Sequence, residues 1–479
     1  MKIFTLISQL SLCLLLIGCS GSKENLIEKP NVLFIAVDDL NDWIEPLGGH
    51  PQAITPNLSR LAEEGVCFTR AYCSGTACNP SRSSLLSGLA PYNTGMYANK
   101  QIWREVLGDI KTIPQYFTEN GYWSAGGGKI FHNNQPDPQS WEDYYPSKEK
   151  HMPNYFHPGS GVQVNMPVYD NLYSAFDWSP IPLRDEETAD CGTVDWIIDQ
   201  LKREHEKPFF LACGIYRPHL PWYVPQKYFD MFPLDSVQLP AILENDRDDL
   251  PPGALSLNQR QRIYHEAVTK HGLWKDAVQG YLASITYSDA MVGRLLNGLA
   301  ESSYAENTIV VLWSDHGWAL GEKEHWRKYH IWENIARAVC MIKVPEAVKA
   351  LPEGSAAGIP CNRAVSLLDL YPTLVELCGL PARKELDGHS LVPLLRDPSI
   401  EWKYPAIISS SRMDFGVSKD NWRYLKYVDD GGEELYNLDN DPHEWYNLAG
   451  KPEYKRKIEE MEKYIPKNPH PIVDNANGN

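Results

Sequence analysis

The chain has 479 residues, 43% hydrophobic and 22% charged, enough to bury a sizeable core and to exclude a disordered or fibrous class. Its formal charge of −17, with no long Lys/Arg run, excludes nucleic acid as the main partner. An anionic small substrate stays open, because a few local cations outweigh a distant global charge.

The first segment reads as an export signal. MKIFTLISQLSLCLLLIGCS sets Lys2 before an apolar run, Ile3 to Ile17, too short for a comfortable membrane span. Leu16-Ile17-Gly18-Cys19 resembles the lipobox of bacterial lipoproteins. That resemblance implies a signal peptide over 1–18, lipidation of Cys19, a polar tether over 19–30 and a membrane-tethered protein in the periplasm or at the cell surface. An ordinary secretory signal with a chance cysteine is the other reading. Export permits disulfides, but the remaining cysteines show no CxxC pair, and no connectivity follows.

From Asn31 strands alternate with amphipathic helices. NVLFIAV (31–37) has the length and continuous apolarity of a central parallel strand covered on both faces. TPNLSRLAEEG (55–65) predicts a helix capped by Thr55, with Pro56 first and Gly65 at its end. A second helix is expected with Pro80 at its first position and Cys78 just before it, and TIPQYFTENGY (112–122) predicts a third. Residues 133–180 and 236–270, rich in Pro, Asn and Asp, read as long surface loops. PFFLACGI (208–215) and NTIVVLWS (307–314) read as further buried strands, with a crossover helix over 278–301 between them. RAVSLLDLYPTLVELCGL (363–380) reads as a helix that Pro372 starts, kinks or splits. After Glu401, PAIISSS, WRYLKYV and EELYNL are short strand-like runs, and DDGG is a turn signal. The expectation is a large, doubly wound, mostly parallel α/β domain over 31–385, flanked by helices. A smaller antiparallel α+β subdomain and tail over 386–479 complete it.

In such a sheet ligands sit beyond the carboxyl ends of the strands. Those ends deliver Asp38-Asp39, Lys129 and His132, Arg217 and His219, and Asp315-His316. Three carboxylates brought together repel one another unless a cation neutralises them, and hard oxygen donors favour Ca²⁺ or Mg²⁺ over zinc. Taken singly, Lys129, Arg217 and Lys328 are ordinary surface charges, and His132 or His219 could be structural; as a set near a metal they form an anion pocket. Cys78 at a helix start has a lowered thiol pKa and suits a nucleophile. Its other meanings are a buried small hydrophobe, a disulfide partner, a metal ligand or a chemically converted residue, while Cys73 carries no assigned role.

Cys78-Asn79-Pro80-Ser81-Arg82 matches the C-x-P-S-R signature of type I sulfatases, continued by SLLSG. DDLND, GGGKIFH, RPHLPW and SDHGWALGEKEHWRKY follow in that family's order, and EELYNLDNDPHEWYNLA resembles its closing segment. Within the family the chain is most similar to the iduronate-2-sulfatase branch. The resemblance implies the alkaline phosphatase-like sulfatase fold and hydrolysis of a sulfuric ester. It implies that a maturase oxidises Cys78 to formylglycine, whose hydrate attacks the sulfate sulfur. It further implies a Ca²⁺ held by Asp38, Asp39, Asp315, His316 and the converted Cys78, with Mg²⁺ behind it. Arg82 would hold the nucleophile and the carboxylates, Lys129 and Lys328 the sulfate oxygens, and His132 the diol, with His219 protonating the leaving sugar oxygen. Trp103, Arg104, Arg217, Trp222 and His330 are expected at the pocket mouth and do not copy the human-type iduronate enzyme. A glycosaminoglycan-type uronate 2-O-sulfate is therefore the first expected substrate, with other sulfated glycans next. The alternatives are a phosphonate or phosphodiester hydrolase of the same superfold, and a catalytically dead, glycan-binding surface lipoprotein.

Overall fold

The computed structural model describes residues 27–132, 135–150, 165–166, 172 and 175–474. The export segment and Cys19 lie outside the described residues, and among those described no helix is long and apolar enough to cross a membrane.

The main sheet is built from β1 (Asn31–Val37), β2 (Val66–Tyr72), β3 (Trp123–Gly128), β4 (Asp143–Tyr145), β5 (Phe209–Ile215), β6 (Thr308–Ser314), β7 (Arg337–Ala338), β8 (Cys340–Lys343) and β9 (Cys361–Ser366). Its order is β7-β2-β8-β6-β1-β5-β3-β4, with β9 also paired to β2. The pairs from β6 through β1, β5 and β3 to β4 are parallel, whereas β8 runs antiparallel to both neighbours. β1 shows why a continuous apolar run suits this place. Val32, Phe34 and Ala36 enter one core and Leu33, Ile35 and Val37 the other, so neither face tolerates a polar residue.

Helices cover both faces. α1 (Pro56–Glu64), α2 (Cys78–Ser87), α3 (Ile113–Glu119), α4 (Ala189–Leu201), α5 (Pro252–Lys270), α6 (Trp274–Ala300) and α7 (Leu370–Leu377) are the main ones. Leu85, Phe117 and Leu374 of α2, α3 and α7 pack on the Phe34 side. Leu61, Val194 and Leu282 of α1, α4 and α6 pack on the Ile35 side. A second, antiparallel sheet follows: β10 (Ala406–Ser409), β11 (Asp414–Lys419), β12 (Trp422–Tyr427) and β13 (Glu433–Asn437), paired in chain order. It has its own small core of Val417, Tyr424, Leu435 and Met461. The Ser409 amide docks it by donating to the Ser74 carbonyl at 3.0 Å, four residues before Cys78.

Several elements differ from the sequence expectation. α2 begins at Cys78, so Cys78 is its first residue and Pro80 its third. A proline is tolerated there because the first helical N–H groups have no intrahelical acceptor to lose. Residues 252–270, read as loop, form a long helix entered through Pro251-Pro252. The crossover helix starts earlier than expected, at Trp274. The segment 363–380 divides: β9 ends at Ser366, a short turn follows, and Pro372 sits within the first turn of α7.

Some of the joints between these elements carry buried carboxyls. Asp369 accepts the Ser366 and His389 amides at 2.9 and 2.7 Å, and burial pushes its pKa up to about 7. Burial likewise pushes Glu444 up to about 7, against the pull of Arg423. Unfolded carboxyls titrate near pH ~4, so between there and about 7 the native state binds more protons than the unfolded chain. Their contribution to stability therefore falls as pH rises through that window, while buried histidines held neutral, such as His325, oppose it. The melting-temperature advantage of the wild type over Asp369→Asn, in metal-free protein, should shrink from pH 5 to 7.5. An advantage that grows over this range would contradict the assignment.

Candidate active site

The register of the sheet builds the site. Val37 of β1 lies level with Ile215 of β5 and Ser314 of β6, so Asp38, Tyr216 and Asp315 leave the sheet side by side. Gly128 of β3 pairs with Gly214, which brings Lys129 to the same edge. The approach requires glycine on both strands: a Cβ on Gly128 would meet the Gly214 carbonyl oxygen at 2.0 Å, and one on Gly214 would meet the Lys129 backbone at 2.4 Å.

Onto this edge α2 delivers Cys78 and, one turn on, Arg82. The Arg82 guanidinium is fully buried, with Nη2 2.9 Å from Asp38 Oδ1 and Nε 2.9 Å from Asp315 Oδ2. Its Nη1 donates to the carbonyls of Lys129 and Ile130. Arg82 thus bridges two strand ends 277 positions apart in sequence. Lys129 pairs with Asp38, and Lys328 with Asp39 at 2.6 Å. The Cys78 Sγ lies 2.8 Å from the Lys328 ammonium, 3.9 Å from that of Lys129 and 3.9 Å from Asp39 Oδ1. His132 lies beside the same thiol, which opposes the lowering of its pKa by burial.

The electrostatics separate Cys78 from its neighbour. Burial raises both thiols, and for Cys73 nothing reverses it. At Cys78 the Lys129 and Lys328 ammoniums override burial and hold the thiol well below its ordinary range. This position is built to carry negative charge. Asp315 is likewise held well below the usual carboxylate range, burial being outweighed by Arg82 and then by His316. Asp38 and Asp39 are pushed up by burial despite Lys129 and Lys328, so they lack part of their neutralising charge.

A divalent cation fits that deficit. Asp39, Cys78, Asp315 and His316 each offer a ligand atom, all within 4.8 Å of one another, and Asp38, Asp39 and His219 form a second such group. Asp39 Oδ2 and His316 Nε2 are buried without a hydrogen-bond partner. The His316 Nδ1–H donates to the Gly317 carbonyl at 2.9 Å, which leaves Nε2 as the atom turned to the site. His219 Nε2 lies 3.7 Å from Asp39 Oδ2.

The structure therefore brings together Asp38, Asp39, Cys78, Arg82, Lys129, His132, His219, Asp315, His316 and Lys328. It places most of the expected mouth residues elsewhere. Trp103 is buried, stacked on Phe131 at 4.9 Å. Arg104 pairs with Asp137 and donates to the Gly108 and Ile110 carbonyls, closing its own loop. Trp222 is fully buried against Trp178 and Trp318, and His330 is fully buried, stacked on Trp332 at 3.4 Å. Trp103, Trp222 and His330 are buried, the first at the start of a short helix and the second at the start of a short strand, while Arg104 is partly exposed. Arg217 is nearly buried beside the site, its guanidinium donating to the carbonyls of His219 and Tyr223. Two supporting residues were missed. Ser81 Oγ donates to the Asp315 carbonyl, and its place inside the C-x-P-S-R motif was the available signal. Tyr281 on α6 donates its hydroxyl to the Asp39 carbonyl at 2.8 Å, and nothing in its local sequence marks it.

A buried, cation-neutralised trio of carboxylates with an activated residue at a helix start, on a doubly wound sheet, defines a hydrolase of anionic esters. The comparisons narrow this. The Sulfatase family model matches residues 30–380, and a model described as N-sulphoglucosamine sulphohydrolase, C-terminal, matches 321–469. The chain belongs to the sulfatase family. It is 38% identical to a sulfatase of Formosa agariphila over 96% of this chain and 91% of that one. It is 32% identical to the iduronate 2-sulfatase of Homo sapiens over 77% of this chain and 72% of that one. Among solved structures, a protein in complex with its substrate D-glucosamine-2-N,6-O-disulfate superposes with a TM-score of 0.72 at 21% identity, covering 91% and 96% of the two chains. A phosphonate monoester hydrolase from Silicibacter pomeroyi superposes with a TM-score of 0.73 at 20% identity, over 91% and 94%. The fold is thus shared beyond sulfate esters.

If the orphaned atoms are metal ligands, chelator-stripped protein should melt at a lower temperature and regain it on adding Ca²⁺. Asp39→Asn should abolish that response. A stripped protein whose melting temperature ignores divalent cations would remove the metal from this site. Arg82→Ala, which strands two buried carboxylates, should cost about 3–5 kcal/mol in urea unfolding of the stripped protein.

Proposed function

We propose that this sulfatase removes an O-sulfate from a sulfated glycan by way of Cys78 converted to formylglycine, with Ca²⁺ on Asp38, Asp39, Asp315 and His316. The observation that carries the reading is the contact of Cys78 with both ammoniums on a shared set of carboxylates. The hydrated aldehyde supplies the attacking oxygen and an internal route for releasing sulfate afterwards. The bound cation supplies charge stabilisation to that oxygen and to the sulfate.

The chain's own side chains do the rest. Lys129 and Lys328 face the position where the sulfate oxygens gain charge, in a site that excludes water and so strengthens each contact. Arg82 fixes Asp38 and Asp315 relative to α2, so the nucleophile and the carboxylates keep one geometry. His132 orients the nucleophile. The His219 Nδ1–H donates to the Leu220 carbonyl at 2.6 Å, which leaves Nε2 to exchange a proton with the leaving sugar oxygen. Burial, then Lys129 and Lys328, push the His219 pKa well down. An anionic ester between those lysines opposes the shift and favours the proton when it is needed.

Similarity to the iduronate 2-sulfatase of Homo sapiens supports a uronate 2-O-sulfate as the first substrate to test. The proposal includes a formylglycine-generating maturase for Cys78 and a lipid on Cys19. Labelling of the expressed protein with palmitate should vanish in Cys19→Ser.

Peptide mass spectrometry should find residue 78 about 18 Da lighter than cysteine in active protein. Cys78→Ala should lose turnover of 4-nitrophenyl sulfate by at least ~10³-fold. Full activity with an unmodified thiol would sink the mechanism. A panel of sulfated mono- and disaccharides then reads the regiochemistry, and faster hydrolysis of 4-nitrophenyl phosphate or a phosphonate ester would move the chain to the other chemistry of this fold.

A further inference from the structure

Lys328 reaches Cys78 from an unusual piece of backbone. Between Gly321 and His330 the chain holds Lys323, Glu324, Arg327 and Tyr329 at φ of 51, 56, 72 and 78°. Left-handed conformations at non-glycine residues persist only where their surroundings over-determine them. Lys328 stands between the last two.

The surroundings are largely one helix, α5. The Ala254 carbonyl accepts from His330 Nε2 at 3.2 Å. Asn258 is fully buried; its Nδ2 donates to the Lys323 carbonyl at 3.0 Å, and its acceptor Oδ1 lies 3.0 Å from His325 Nδ1. Arg262 Nε pairs with Glu324 at 2.7 Å, and His265 Nδ1 accepts the Trp326 indole N–H at 3.2 Å. Residues 254, 258, 262 and 265 fall on one stripe of the helix, so α5 meets the loop at four successive points. His325, also fully buried, lies between Asn258 and the Lys328 backbone. Burial pushes its pKa down to about 3, so the neutral ring has one N–H, shared between the Lys328 carbonyl 3.1 Å from Nε2 and Asn258 Oδ1 3.0 Å from Nδ1. In either tautomer the ring fills the space between them.

We infer that Asn258 and His325 are positioning residues that fix the Lys328 backbone, and through it the ammonium over residue 78. The inference rests on the reading of Lys328 as a cation that holds the sulfate. Neither residue touches the reacting atoms. Nothing in their local sequence marks them, since Asn258 lies in a stretch that reads as loop and His325 lies in SDHGWALGEKEHWRKY without a role assigned to it there.

The test is a double-mutant cycle on the matured enzyme with 4-nitrophenyl sulfate. Asn258→Ala and His325→Ala should each lower kcat by roughly tenfold to a hundredfold. His325→Gln, which keeps a donor, should recover most of that loss, and Asn258→Ser is the milder variant should Asn258→Ala fold poorly. In a Lys328→Ala background the same changes should cost less than about twofold, because the group they position is gone. Equal fold-losses in both backgrounds would overturn the inference and leave a general structural role. If Lys328→Ala itself retains full turnover, the sulfate-binding reading of Lys328 fails instead. Amide hydrogen exchange then decides the positioning separately: it should quicken at residues 326–329 in Asn258→Ala and stay unchanged in β11 and β12. Unchanged exchange at 326–329 overturns the inference whatever the activity.

Discussion

The contact on which the site depends is that of Arg82 with Asp38 and Asp315. Two carboxylates from separate strands, both fully buried, meet one guanidinium whose planar fork fits one oxygen of each. Burying such charges is costly unless geometry and further hydrogen bonds offset the lost hydration, and here the remaining Arg82 donors are taken by the Lys129 and Ile130 carbonyls. Lys129 and Lys328 pair with Asp38 and Asp39, yet burial still pushes both carboxyls up, so the cluster has room for further positive charge. A divalent cation held there would turn the cluster net positive, and an anionic ester would balance it, although the chain as a whole is strongly acidic.

What could be read from the sequence was the part that obeys sheet periodicity. Continuous apolar runs end at the residues that β1, β5 and β6 deliver, because a strand buried on both faces cannot admit a charge before its last position. Asp38 and Asp315 were legible for that reason, Lys129 from its place after the glycines of β3, and Cys78 for its motif. Pro80 was placed two positions too early in the helix, since a proline fits any of the first helical positions and its presence does not choose among them. Residues 252–270 were read as loop because Pro251-Pro252 and a polar, weakly amphipathic sequence hide a helix whose partner is another loop and not the sheet.

The burial of Trp103, Trp222 and His330 was not legible for a different reason. Trp103, Trp222 and His330 occur in aromatic, polar stretches that look solvent-facing, but burial of a loop is set by what the rest of the chain lays over it. His330 stacks on Trp332, and Trp222 completes an aromatic layer with Trp178 and Trp318. No local pattern records the Trp222 contacts, since Trp178 and Trp318 lie 44 and 96 positions away, and the Trp332 ring two residues from His330 gives no sign by itself that the pair is buried.

The two halves of the charge balance are held by different means. Strands fix Asp38, Asp315 and Lys129, and their register leaves little freedom. Lys328 stands on a strained loop, and Cys78 on a helix start whose neighbourhood is tied to the C-terminal region. The Asn79 amide donates to Asn99 Oδ1 at 2.9 Å, and Asn99 Nδ2 donates to the Tyr329 hydroxyl at 3.4 Å. Gln101 donates to the Val473 carbonyl and the Tyr97 hydroxyl to that of His470, so the final described stretch straps the segment beside the nucleophile. Ser409 of β10 adds its bond to Ser74 on the other side. The antiparallel subdomain is thus part of the frame around residue 78. Truncating it would expose α2 at its N-terminal end, where the arrangement of charge has to be exact to within the length of a hydrogen bond.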